Sequence, residues 1–209
     1  MWSLILLKKG TLTREPRNRD YWQFVWSKFR SGDRSSFEEI YNEFTDRLFV
    51  YGNKITTDKE LVKDAIQDLF IDLYKYHPTI KNPELLEFYL YKSLKHAIIK
   101  KLQKENRLQS IQPDFNSFEL AFYAETEDFQ DDSKSRQLDS LQKALKGLDQ
   151  QKRELLFLKF DSGLTYSEIG ELLNLKPDTV KKQVYRIIQH LHDSVGAKIL
   201  ELFLLCCKT

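Results

Sequence analysis

Apolar side chains recur at three- and four-residue steps along most of this chain, the spacing that lines one face of an α-helix. Phe37, Ile40, Tyr41, Phe44, Leu48 and Tyr51 set the first long stripe, and the Gly32-Asp33 pair ahead of it marks a helix start. Asp58 stands where it can cap a second helix, in which Leu61, Val62, Ala65, Ile66, Leu69, Phe70 and Leu73 form a broad stripe ending near Tyr76-His77-Pro78. Pro83 opens a third, with Leu86, Leu90, Leu94, Ile98 and Leu102 inward, and a shorter helix over 21–30 joins the group. The period then fades over 106–135, which reads as a connector with local helical turns around 118–123. It returns at Leu138, Leu141, Ala144, Leu145 and Leu148, and again at Leu155, Leu156, Leu158 and Phe160. No internal repeat is visible. The pattern predicts an all-α fold: two small helical bundles, over 21–107 and 136–195, joined by a flexible acidic linker over 108–135 and followed by an apolar tail over 196–209.

The second bundle ends in LTYSEIGELLNLKPDTVKKQVYRIIQHL, two short helices joined by a tight turn. Thr165 and Glu168 have the spacing of a capping box. Ile169, Leu172 and Leu173 give the first helix its apolar face. Asn174 accepts the left-handed conformation needed to leave a helix, and Leu175 turns back to the core. Pro177 suits the first turn of the next helix, where its missing N–H has no partner to lose. There Val180, Val184, Ile187, Ile188 and Leu191 make the buried stripe, leaving Thr179, Lys181, Lys182, Gln183, Tyr185 and Arg186 outward. A sharply turned helix pair with a basic second helix is the helix-turn-helix arrangement that enters a DNA major groove. An ordinary helical hairpin with a solvated cationic face is the plainer alternative.

Charge changes the picture through its distribution. The 209 residues carry a formal net charge of only +2. Yet Lys92, Lys95, Lys100, Lys101, Lys104 and Arg107 crowd the third helix against Glu105 alone, while charged residues over 113–133 are all acidic. Basic helices flanking an acidic connector point to a polyanion partner. On the second helix Asp64, Gln67 and Asp68 stand at i, i+3 and i+4, a polar acidic face opposite the apolar stripe and suited to an arginine-rich surface. The third helix sets its lysines beside Phe88, Tyr89 and Tyr91, the combination that neutralises phosphates and stacks unpaired bases, although one of Phe88 and Tyr89 is expected in the core.

Cys206 and Cys207 are adjacent and have no second pair for a zinc site, so a reducing, cytoplasmic setting is expected. The N-terminal WSLILL run and the apolar run over 199–207 are too short for a signal core or a membrane span, and no membrane insertion is expected. His190 and His192 lie two apart on a helix and make a poor metal pair. With no glycine-rich phosphate loop or nucleophile motif either, the expectation is of no catalytic residue, no metal and no cofactor.

Taken together, GDRSSFEEIYNEFTDRLFVYGNKIT, LVKDAIQDLFIDLYKY, YLYKSLKHAIIKKLQKENR and the segment from LKGLDQQKRELL to the last helix resemble the sigma-70 family, in its small extracytoplasmic-function group. The resemblance spans about 21–195. It implies that 21–107 is a region 2-like domain that binds core RNA polymerase and melts and reads the downstream promoter element. It implies that 136–195 is a region 4-like domain that reads the upstream element. The polymerase contacts implied are Asp64, Gln67, Asp68 and Phe70, with the clamp and flap of the large subunits as partners. Phe88, Tyr89, Lys92, Lys95, His96 and Lys100 are expected at downstream DNA, with the loop at 77–87 capturing a flipped base of the melted strand. Thr179, Lys181 and Lys182 are expected on phosphates of double-stranded promoter DNA, and Gln183 and Arg186 on base edges.

Three departures from the family pattern matter. His96 stands where Asn is frequent, Lys100 where Asp or Asn is frequent, and Lys176 where a Ser or Thr cap is expected. The first two weaken the expectation of base-specific reading at the downstream element. The reading is therefore a transcription initiation factor without covalent chemistry of its own. The alternatives are a helix-turn-helix regulator that never binds polymerase, and a sigma factor delivered to DNA by another targeting partner. The apolar tail leaves an anti-sigma protein open as a further partner.

Overall fold

A computed structural model describes residues 19–80, 86–109 and 132–196. The described residues form eight α-helices and no strand: α1 (Arg19–Arg30), α2 (Arg34–Ile55), α3 (Lys59–Tyr76), α4 (Leu86–Gln109), α5 (Asp132–Lys146), α6 (Gln150–Leu156), α7 (Tyr166–Leu173) and α8 (Pro177–Val195). The expected linker core, the N-terminal run, Pro83 and nearly all of the apolar tail lie outside these residues. All closely packed helix pairs fall within one of two groups: α2, α3 and α4 pack mutually with α1 against them, and α5, α6 and α7 pack around α8.

The start signals act as their chemistry dictates. Asp33 accepts a hydrogen bond from the Ser35 N–H at 3.2 Å, and Asp58 accepts from the N–H groups of Glu60 and Leu61 at 3.1 and 3.0 Å, so α2 and α3 begin with orphan donors satisfied. Trp22, Val25, Trp26 and Phe29 bury the inner face of α1. Phe44, Leu48, Leu73, Leu90, Leu94 and Ile98 are wholly enclosed where α2, α3 and α4 meet. Gly52 permits the closest approach, because a Cβ there would stand 2.5 Å from Val62 Cγ1.

In the second bundle Asp149 caps α6, accepting from the Lys152 N–H at 2.8 Å. One expectation needs correcting. Leu158 and Phe160 do not continue this helix as α turns: the chain widens into a single π turn, Phe157–Asp161, which turns Leu158 into the core and leaves Phe160 partly buried. Thr165 and Glu168 make the full capping box of α7. Asn174 takes φ 55° and ψ 44°, the left-handed exit, and the Leu175 N–H reaches back to the Gly170 carbonyl at 2.7 Å. Only glycine fits at 170, since a Cβ would meet the Leu175 carbonyl oxygen at 2.6 Å. Pro177 opens α8, whose cap position, Lys176, makes no side-chain cap bond.

Candidate partner groove and nucleic-acid interface

Three surfaces collect the candidate residues. The first is a groove of about 680 Å³ along α3, lined by Asp64, Gln67 and Lys75 and by the rings of Phe37, Tyr41, Phe70 and Tyr74. Asp64 and Gln67 are exposed on its wall, whereas Phe70 is buried and forms its floor, packed against Tyr41 with ring centroids 4.8 Å apart. Asp68 leaves this group: its carboxylate pairs with Lys101 of α4 at 2.7 Å and does not line the groove. Sequence reasoning missed the apolar half of the surface. Tyr41, Ile71 and Tyr74 are 37%, 42% and 42% exposed, beside the carboxylate and the amide. Exposed aromatic and aliphatic groups around a few polar anchors are the make-up of a protein-binding patch.

The second surface is α4. The structure sorts its aromatics, burying Phe88 in the core and leaving Tyr89 half-buried. Lys92 stands over the Phe88 ring, 5.3 Å from its centroid. His96, Lys100 and Lys104 are exposed on the outer side of the helix. Lys92 and Lys95 point elsewhere, to the second bundle. The Lys92 ammonium donates to Glu171 of α7 at 2.6 Å, and the Lys95 ammonium donates to Glu154 of α6 at 2.8 Å. Glu154 is buried, and the same oxygen accepts the Tyr51 hydroxyl at 2.7 Å. Burial, reinforced by the Glu154 charge, holds the Tyr51 hydroxyl well above its usual range, so it stays a donor. Tyr51 also stacks on Phe157 at 5.7 Å with an interplanar angle of 13°, Arg19 pairs with Glu168, and the Arg47 guanidinium reaches the Asp161 carbonyl at 3.5 Å. Nothing in the spacing of the sequence announced these contacts, because each joins residues far apart in the chain.

Upstream of α4, His77 stacks on Phe29 at 4.3 Å, and its Nδ1 lies 2.6 Å from the Tyr74 carbonyl. The middle of the loop expected to capture a base, residues 81–85, lies outside the described residues.

The third surface is the outer face of α8. Lys181, Lys182 and Arg186 are exposed, with Thr179 partly so, and Asp178, Lys181, Lys182, Tyr185 and Arg186 line a shallow open concavity. Tyr185, 64% exposed, belongs to this face although it was not among the candidate contacts. Gln183 is placed differently. Its Oε1 is buried without a hydrogen-bond partner, and the residue lines a cleft with Gly147, Leu148 and Lys152 at the α5–α6 corner. Arg186 borders both concavities and is the more open base-edge candidate.

A family model for sigma-70, region 4, matches residues 138–191, which run from α5 to near the end of α8. RNA polymerase sigma factor SigZ of Bacillus subtilis is 23% identical over 151 residues, covering 72% of this chain and 82% of that protein. ECF RNA polymerase sigma factor SigE of Mycolicibacterium smegmatis is 24% identical over 170 residues, covering 78% of this chain and 64% of that protein. The chain carries a sigma-70 region 4 domain and is similar over most of its length to RNA polymerase sigma factors, one of them of the extracytoplasmic-function group. The fold agrees: the sigma factor RpoE of Bartonella quintana, solved with the anti-sigma factor NepR, matches with a TM-score of 0.52 and 17% identity over 78% of this chain and 98% of that one. Among the described residues, no helix of this sigma factor is long and apolar enough to cross a membrane, and no cluster of side chains suits a metal ion.

Proposed function

We propose that this sigma factor binds core RNA polymerase through the α3 groove and directs it to promoter DNA through the α4 and α8 surfaces. The first bundle acts as the region 2-like domain over 21–107, and the second as the region 4-like domain over 136–195. The observation that carries the reading is the coexistence, on one chain, of a helix-turn-helix with an outward cationic helix and a separate groove mixing a carboxylate with exposed aromatics. A duplex-DNA regulator needs the first and has no use for the second.

Each residue has a physical task. Asp64 and Gln67 offer a carboxylate and an amide to an arginine-rich clamp helix, while Tyr41, Ile71 and Tyr74 supply the apolar area that such a contact buries. Asp68 serves best by fixing α3 against α4 through Lys101. On α8, Lys181 and Lys182 neutralise phosphates, and Arg186 reads a base edge, where its planar fork suits guanine. Gln183 supports Arg186 from the α5–α6 corner. On α4, Tyr89, His96 and Lys100 face the melted strand, with Lys92 and Lys95 joining them once released from their carboxylates. The protein would work in the cytoplasm, without covalent chemistry of its own. The Bartonella relative is held by an anti-sigma factor, and an inhibitor of that kind is a further proposed partner here.

The test is charge reversal. Asp64→Lys combined with Gln67→Ala should abolish co-migration with core polymerase and leave duplex binding by α8 unchanged. Retained co-migration would remove the groove from the account. Absence of co-migration for the parent chain as well would leave the regulator reading in its place.

A further inference from the structure

We propose that Gln183 is the positioning residue of the α8 surface: its amide oxygen accepts the Arg186 guanidinium and fixes the angle at which that fork meets a base. The proposal rests on the reading of α8 as the face that meets duplex DNA, and it names what makes that face selective. The Gln183 Oε1 atom is buried with no hydrogen-bond partner among the described residues, so the free chain leaves an acceptor unsatisfied. A buried acceptor in that state costs free energy, and a donor that reaches it removes the penalty.

The cleft around it, about 490 Å³, offers few donors. The Gly147 and Leu148 N–H groups are spent on the Lys143 and Leu145 carbonyls, at 3.0 and 3.2 Å. The Lys152 ammonium pairs with the Asp149 carboxylate at 2.7 Å. His190 stands two helical turns from Gln183, about 10 Å along the axis. Arg186 remains. It lies at i+3 from Gln183, where helical side chains are neighbours, and a long side chain leans back over the turn before its own. Its guanidinium is exposed and makes no hydrogen bond or ion pair among the described residues.

An unheld arginine samples many rotamers, and two-point contact with guanine O6 and N7 needs one of them. The guanidinium has five donors, so one N–H can rest on Gln183 while others face the groove. Arg186 borders both this cleft and the open α8 concavity, which places it to take the amide on one side and a base on the other.

The experiment uses the full chain and duplexes with a randomised central block, sequenced before and after one round of binding. Arg186→Ala should flatten the preference at one position, which marks the base it reads. Gln183→Met, similar in volume but without the acceptor, should lower the preference at that same position about fivefold, the worth of one hydrogen bond. It should leave the salt slope unchanged, because no phosphate contact is lost. Gln183→Glu retains an acceptor oxygen and should retain the preference, while its charge weakens all duplexes evenly. In the Arg186→Ala background, Gln183→Met should change nothing further, because a positioning residue acts only through the side chain it holds.

The proposal is overturned if Gln183→Met keeps the full preference or loses it at a different position. A further loss in the double variant overturns it too, since Gln183 would then read a base in its own right. If Arg186→Ala flattens no position, the reading of Arg186 on base edges fails and takes the proposal with it. Once that position is found, an unchanged Gln183→Met sinks the positioning role alone.

Discussion

Lys176 shows how a single side chain records a choice between stability and function. It holds the N-cap of α8 yet makes no side-chain cap bond. Lys176→Ser should therefore stabilise the chain by about 1 kcal/mol in urea titration. The same change should weaken duplex binding slightly by removing a cation from the start of the helix proposed to face DNA. Gly170 is the opposite case. Its missing side chain lets the turn after α7 close onto the helix, and Gly170→Ala should destabilise by about 1–3 kcal/mol because the Leu175 carbonyl is backbone and cannot step aside. Thermal melts of the variant check this.

Glu87 belongs to the same scale. Burial, with further help from the Glu168 and Glu43 charges, raises its carboxyl above the ordinary value near 4.5, against the opposing pull of Arg47 and Arg19. A raised carboxyl favours the protonated form in the folded chain, so its stabilising contribution is present below pH 4.5 and is lost as pH rises through the folded value. Glu87→Gln should accordingly flatten the pH dependence of the urea midpoint on the alkaline side of 4.5. An unchanged profile would place the titration elsewhere.

At the scale of the helix, legibility followed from whether a feature is written locally. The caps at Asp33, Asp58 and Thr165, the left-handed exit at Asn174 and the stripes of α2, α3 and α8 each depend on residues within a few positions, and the sequence displays them directly. The turn after α6 was not legible, because Leu158 and Phe160 fit an α period and only packing widens it to a π turn. Candidate sites divide the same way. Lys181, Lys182 and Arg186 face outward as their helical spacing requires. Asp68 and Gln183 depart from their expected settings because Lys101 and the α5–α6 corner claim them, and neither neighbour is local; Phe88 is the one of the Phe88–Tyr89 pair that the core takes. For α8, Arg186→Ala should lose about 1–3 kcal/mol of discrimination between duplex sequences, while Lys181→Ala should weaken all duplexes evenly and reduce the salt slope by about 1. Competition binding over a salt series distinguishes the two.

For the whole molecule, the two bundles meet across an interface of ion pairs and stacked rings. Its one solvent-open pair, Lys92–Glu171, is screened by salt, while the buried Lys95–Glu154 pair is screened much less. Moderate salt should thus loosen the bundles before either one unfolds. Small-angle scattering should then show expansion while circular dichroism retains full helicity.

The central claim is that this chain turns core polymerase into an initiating enzyme. Run-off transcription on a genomic fragment library, with core polymerase alone as the reference, tests it most directly. The account predicts discrete transcripts that depend on the added chain and vanish with Asp64→Lys or with Lys181→Ala, Lys182→Ala and Arg186→Ala combined. A transcript pattern identical to that of core polymerase alone, from chain that is folded and binds duplex DNA, would contradict it.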